Sequence, residues 1–194
     1  MPAGEEQEKT RPPRRTLRSD NPADLFDQQA RLGELVKHRP RLDENGLQFL
    51  TRLRGSTTPE EAVTFTAFSA LPVAAIGWGY ECLRMMADHL DPSERPVMHQ
   101  ISDWLNEPST TRRHAIMRSA LWAPMRTPSV LLALSVGWAA GGPAPNDPEP
   151  SPAHKTPVAI NSAVLSCLAR AQLRQRPVYM ARFLDMAETL FRAY

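Results

Sequence analysis

The chain has 194 residues, of which 42% are apolar, and a formal net charge of +2. That length and apolar share suit one domain with a single core, and the near-neutral balance excludes a long-range field that would by itself select nucleic acid or an anionic membrane. Two cysteines, Cys82 and Cys167, lie far apart and each within an apolar stretch; they fit neither a disulfide scaffold nor a zinc site and read as buried thiols in a reducing compartment.

Residues 1–20 combine Glu5, Glu6, Glu8 and Lys9 with Arg11, Arg14, Arg15 and Arg18. No apolar run follows, so the segment reads as a disordered tail and not as a secretory signal. The longest apolar stretch, Val130 to Ala140, is about half a membrane span. A cytoplasmic protein with no membrane insertion is expected. The 19 prolines punctuate the remainder: four lie in the first 22 residues, six between Pro143 and Pro157, and most others stand where helices should begin or end.

A first helix is predicted from Pro22 to Val36, capped by Asn21, with a thin face of Leu25, Gln29, Leu32 and Val36. A second runs from Asp43 to Arg54, with Leu47, Phe49, Leu50 and Leu53 apolar and Gly55 closing it. The third has the clearest start. Thr58 is the N-cap, Pro59 follows, and Glu60 and Glu61 sit at the positive end of the helix dipole, with Glu61 completing a capping box. Pro72 opens a fourth helix to Leu90, apolar nearly all round and therefore central. Gly77 and Gly79 flank its Trp78, each at about 1 kcal/mol in an exposed helix; close approach of a neighbouring helix explains them.

The fifth helix spans Ser93 to Asn106, with Val97, Ile101, Trp104 and Leu105 inward. Ser109 caps a sixth to Ala123, whose inward face is read as Ala115, Ile116, Ser119, Ala120 and Trp122. Thr127 caps a seventh from Pro128 to Ala140, ended by Gly141 and Gly142. Residues 141–156 form a Pro-rich internal linker. An eighth helix runs from Thr156-Pro157 to Leu173, and a ninth from Pro177 to about Arg192 has Tyr179, Phe183, Met186, Leu190 and Phe191 buried or nearly so. The last two are too short to hold a core of their own, so they dock back and residues 21–194 form one helical domain. The expected fold is all-α, a bundle or an α-solenoid-like stack of hairpins with about nine helices. No β-run and no fixed repeat period is present.

Catalytic signals are absent: there is no Gly-x-Ser-x-Gly, Walker loop, dinucleotide fingerprint or His-Glu-x-x-His. His99 and Asp103 lie four apart, but no third or fourth ligand accompanies them. Glu81, inside the apolar fourth helix, is the carboxylate whose environment matters most. Arg112, Arg113 and Arg118 cluster on one helix; without interleaved aromatics they read as a solvated face and not as a nucleic-acid site. Trp78, Trp104, Trp122 and Trp138 fall on four successive helices and read as core, so an exposed one would point to an interface. Met85 and Met86 either fill the core or line an adaptable groove. The candidate interaction residues are Trp78, Glu81, Met85, Trp104, Arg112 and Arg113, with no metal and no cofactor.

The stretch Leu71-Pro72-x-x-Ala75-x-x-Trp78, followed by Trp104 to Pro108 and by Ala115 and Ala120, resembles a bacterial helical domain family of unknown function whose genes often lie near type VI secretion genes. The similarity spans roughly residues 58–190. That family tends to carry an Arg-Glu pair after the proline, where Val73 and Ala74 stand here. The resemblance implies an accessory protein of that secretion system and transfers no catalytic residue. The expected function is a non-enzymatic interaction module (an adaptor, chaperone or accessory protein) whose partner is a secretion component, effector or toxin. An immunity protein that binds a toxin is one alternative. The other is an enzyme whose site, around Glu81 or His99, assembles only in three dimensions.

Overall fold

The computed structural model describes residues 15–193. Ten helices follow in order: α1 (Pro22–Gln28), α2 (Ala30–Leu35), α3 (Gly46–Arg54), α4 (Glu60–Ser69), α5 (Pro72–Met85), α6 (Arg95–Asn106), α7 (Thr110–Trp122), α8 (Pro128–Gly137), α9 (Lys155–Ala169) and α10 (Arg176–Arg192). Short 3-10 turns precede α6 and α10 and follow α5. Among the described residues there is no strand, only two isolated bridges. The fold is all-α and single-domain, and no described helix is long and apolar enough to cross a membrane.

Local chemistry sets most of the helix starts. Asn21 accepts from the Ala23 N–H (3.0 Å), Asn45 and Gln48 form a reciprocal capping box, Ser109 accepts from Arg112 N–H and Thr127 from Val130 N–H. Leu71, Asp91 and Thr127 each precede a proline and are extended (ψ 148°, 145° and 165°), as the proline ring requires; Leu71 follows the end of α4, and Ala123, extended before Pro124, follows the end of α7. The fourth predicted helix ends at Met85, short of the expected Leu90; a 3-10 turn over Ala87–His89 follows, and Leu90 is extended before Asp91-Pro92. The first breaks at Gln29 (φ −125°, ψ 78°) into α1 and α2, a kink that lets Leu25, Leu32 and Val36 all reach the core.

Two helices are enclosed more fully than α5. Residues 61–69 of α4 are all buried, and so are nine of the residues of α8, including Ser129 and Ser135. α8 packs between α7 and α9, and α9 lies against α4 and α5. α10 closes the bundle by seating on α3. An aromatic row joins them: Phe26 meets Phe49 edge-on, Phe49 meets Phe65 edge-on at 4.8 Å between centroids, and Phe65 stacks on Phe191.

Of the tail expected at residues 1–20, residues 1–14 lie outside the described residues. Residues 15–20 depart from that expectation. Leu17 is fully buried, Arg18 N–H donates to Ser69 O and Leu71 N–H to Thr16 O, both at 2.8 Å, and the Thr16 hydroxyl donates to Leu190 O. The segment pins the α4–α5 corner to the end of α10. Burial of one leucine and three hydrogen bonds to distant backbone outweigh the local charge that made the segment read as a disordered tail.

The two glycines beside Trp78 differ. A Cβ at Gly79 would stand 3.0 Å from Leu132 Cδ1 and 3.2 Å from Ile160 Cγ2, both fully buried, whereas a Cβ at Gly77 would find only Leu105 Cδ2 at 4.0 Å. Gly79 is where α8 and α9 approach α5. Gly79→Ala is expected to lower stability by about 1 kcal/mol net of its helix-propensity gain, and Gly77→Ala to raise it by about 0.5 kcal/mol. Paired urea melts check the opposite signs.

Candidate functional site

Among the described residues two carboxylates are buried, and both are fully engaged. Glu94, 2% exposed, stands in the 3-10 turn before α6. Its Oε2 accepts from the Ser129 N–H (3.1 Å) and hydroxyl (2.8 Å), and its Oε1 accepts from Asp91 N–H and the Arg170 guanidinium. Burial alone would raise its pKa; the Arg170 guanidinium and the Ser129 donors outweigh that and hold it below the usual carboxylate value. Arg170 also donates to His89 O. This network ties α6, the N-terminus of α8 and the end of α9 together, with no lone pair left for a substrate.

Glu61 is the second. Its Oε2 accepts from the N–H groups of Lys37 and His38 and lies 3.0 Å from His38 Nδ1. Burial pushes its pKa up, and His38 pulls it down to a net lowering. The expected capping box at Thr58 is not formed: no side chain caps α4, and the Thr58 hydroxyl donates to the Glu61 carboxylate instead. The carboxylate turns away from its own helix because the loop after α2 offers two unpaired N–H groups.

The other candidates scatter. Glu81 is half-exposed and bound by Arg84 Nε (2.8 Å) and Nη2 (2.6 Å) on the same helix, so it is not the buried carboxylate that would have suggested acid–base chemistry. His99 and Asp103 are exposed. Among the described residues no group of three or more His, Cys, Asp or Glu side chains could hold a metal. The Cys82 and Cys167 thiols are buried, and burial pushes Cys167 up to about 12, which leaves it protonated and unreactive.

Trp78 and Trp104 are each 4% exposed, which takes both out of any surface site; Trp78 Nε1 donates to Phe183 O at 3.0 Å across the core. Met85 is partly covered and packs on the core's edge. Arg112 is exposed, pairs with Glu107 and donates to Glu107 O at the end of α6. Arg113, read as part of a solvated face, is buried; it donates to Gly137 O at 2.7 Å and sits beside His114, and burial lowers its pKa. These six residues do not form one site.

The displacement of Arg113 exposes what the sequence hid. The inward face of α7 is Arg113, Ile116, Met117 and Ala120. Ala115, Ser119 and Trp122, read as inward, lie instead on the solvent side. Both sets follow the same three-and-four spacing, so periodicity could not choose between them. The choice was made by the carbonyl at the end of α8, which accepts the Arg113 guanidinium.

The consequence is an apolar ridge at the end of α7. Trp122 is 85% exposed, with Leu121 at 52% and Met125 at 66% beside it. On one side lies a groove of about 530 Å³ between α7 and the linker, walled by Thr111, His114, Arg118 and Pro143–Asn146. On the other lies one of about 380 Å³, walled by Val97, Ala120, Ala123 and Val130. Trp122 lines both. The turn that carries Met125 is held by Arg126, whose guanidinium donates to Ala120 O at 2.8 Å and to Ala123 O. Burying a tryptophan's 150 Å² or more is worth about 4 kcal/mol, so an indole left almost wholly in water is a signal. Contiguous exposed apolar surface marks interaction sites, whereas singly exposed residues such as Leu42 and Val73 need no explanation.

Comparison with known proteins places the chain by family only. Neither the curated proteins nor the solved structures return a match. The model of a family described as one of unknown function, DUF6931, matches residues 49–191, a span that runs from α3 to α10 and includes the whole ridge. The chain belongs to the DUF6931 family of unknown function.

Proposed function

We propose that the protein is an interaction module that binds another protein through the α7 ridge, and that it serves as an adaptor, chaperone or accessory protein of a bacterial type VI secretion system. The exposure of Trp122 between two grooves carries the first part. A large rigid aromatic on a fixed mount, ringed by polar groups, is the kind of residue that dominates binding energy at interfaces. The secretion assignment rests on the resemblance at Leu71-Pro72-x-x-Ala75-x-x-Trp78 and Trp104 to Pro108. Capture of a toxin at the same ridge would assign the protein to immunity instead.

Affinity purification of the tagged full chain from its own cells, beside a Trp122→Ser variant, tests the reading. A secretion component retained by the parent and weakened about thirtyfold or more by Trp122→Ser, with helical content and melting temperature unchanged, is the expected result. Equal recovery by both variants, or a set of Trp122-dependent proteins with no secretion component in it, would contradict it.

A further inference from the structure

The ridge has a charge as well as a shape. From Pro108 to Asn146 the chain carries Arg112, Arg113, Arg118, Arg126 and His114 and no aspartate or glutamate. This run includes α7, the turn bearing Met125, α8 and the linker wall of the first groove, and no acidic side chain lines that groove; the second is lined by Glu94, whose charge is already paired with Arg170. Arg112 is paired with Glu107. Arg126 is spent on backbone carbonyls, which leaves its charge without a carboxylate. Arg118 is exposed, lines the groove one turn before Trp122, and makes no hydrogen bond or ion pair among the described residues.

From these placements we infer that the ridge receives an acidic amphipathic helix of a partner protein. This inference rests on the interaction reading above. The partner's apolar side chains, three or four residues apart, straddle Trp122 and enter the two grooves, and its Asp or Glu side chains face Arg118 and Arg126. Two grooves split by one ridge suit anchors on one helical face. A groove of about 530 Å³ holds side chains and no folded element. Unpaired cations beside an apolar strip favour a partner with the opposite charge and disfavour a basic one. Single-stranded nucleic acid also stacks on aromatics beside arginines, but it needs a row of aromatic platforms along a basic track. Here one indole stands between Leu121 and Met125, and the chain's net charge is only +2.

The test is selection of a displayed library of random helical peptides on the immobilised full chain, followed by affinity measurement of the enriched peptides. The expected peptides carry two apolar residues three or four apart with flanking Asp or Glu. Trp122→Ser should weaken them at least tenfold, Arg118→Glu severalfold, and Arg118→Lys little, with affinity falling as salt rises. Peptides that need Trp122 but show no acidic bias and ignore Arg118→Glu would overturn the acidic-partner inference and leave the interaction reading standing. No enrichment, peptides indifferent to Trp122→Ser, or a self-association in sedimentation that Trp122→Ser abolishes would overturn both. Quenching of indole fluorescence by an oligo(dT) of sixteen nucleotides, lost in Trp122→Ser, would replace the helix with nucleic acid.

Discussion

Replacing Arg170 by alanine should destabilise the protein by about 3 kcal/mol at neutral pH, the lower end of what breaking a buried ion pair costs. The substitution leaves the Glu94 carboxylate 2% exposed with its counter-charge gone and only neutral donors from Ser129 and Asp91. Arg170 itself is partly exposed, which keeps the figure from the top of the range. The pH dependence carries a second signature. In the parent the folded-state pKa of Glu94 is lowered from 4.5. Its contribution is therefore full above the unfolded value and lost as pH falls through the folded one. Without Arg170 the pKa rises, and the acid limb below about pH 4.5 becomes shallower. It does not vanish, because Glu61 is lowered too. Urea melts of both proteins from pH 7 to pH 3 measure the depth and the slope together, and equal slopes would refute the assignment.

Phe65→Ala should cost about 4 kcal/mol, within the range for a fully buried aromatic. Phe65 is 1% exposed and is the middle of the row that runs from α1 to α10, with Phe49 edge-on at 4.8 Å and Phe191 stacked at 5.6 Å. Its loss opens a cavity at the contact of α3, α4 and α10 and removes two ring pairs besides. The close packing of the interior around the ring limits how far the neighbours can relax into the void. Phe26→Ala, at the partly buried end of the same row, should cost less than half as much. Thermal unfolding of the two variants ranks them.

What the sequence disclosed was local chemistry. Asn21, Ser109 and Thr127 cap the helices they were expected to cap, and Pro72 and Pro128 open the helices they were expected to open, because these effects act within one turn. What it withheld was tertiary. Residues 15–20 read as part of a disordered tail, yet Leu17 is core and its neighbours Arg18 and Thr16 bond to Ser69 O and Leu190 O, distant along the chain. Glu94 carried no mark in sequence beyond its place three residues after Asp91, and its partners Ser129 and Arg170 lie on other helices. The α7 face was misread because Arg113 goes inward to a carbonyl of α8, and Trp122 turns outward with it. The tryptophans themselves divide along the same line: Trp78 and Trp104 are core as composition suggests, and Trp122 is not.

Hydroxyl-radical footprinting of the full chain, free and in complex with the partner it captures, tests the claim that the ridge is the working surface most directly. In the free chain Trp122 and Met125 should oxidise readily while Trp78 and Trp104 stay silent, as their exposures require. In the complex the signals of Trp122 and Met125 should fall severalfold. Oxidation of Trp122 at the same rate in both states, with protection elsewhere on the surface, would contradict the account.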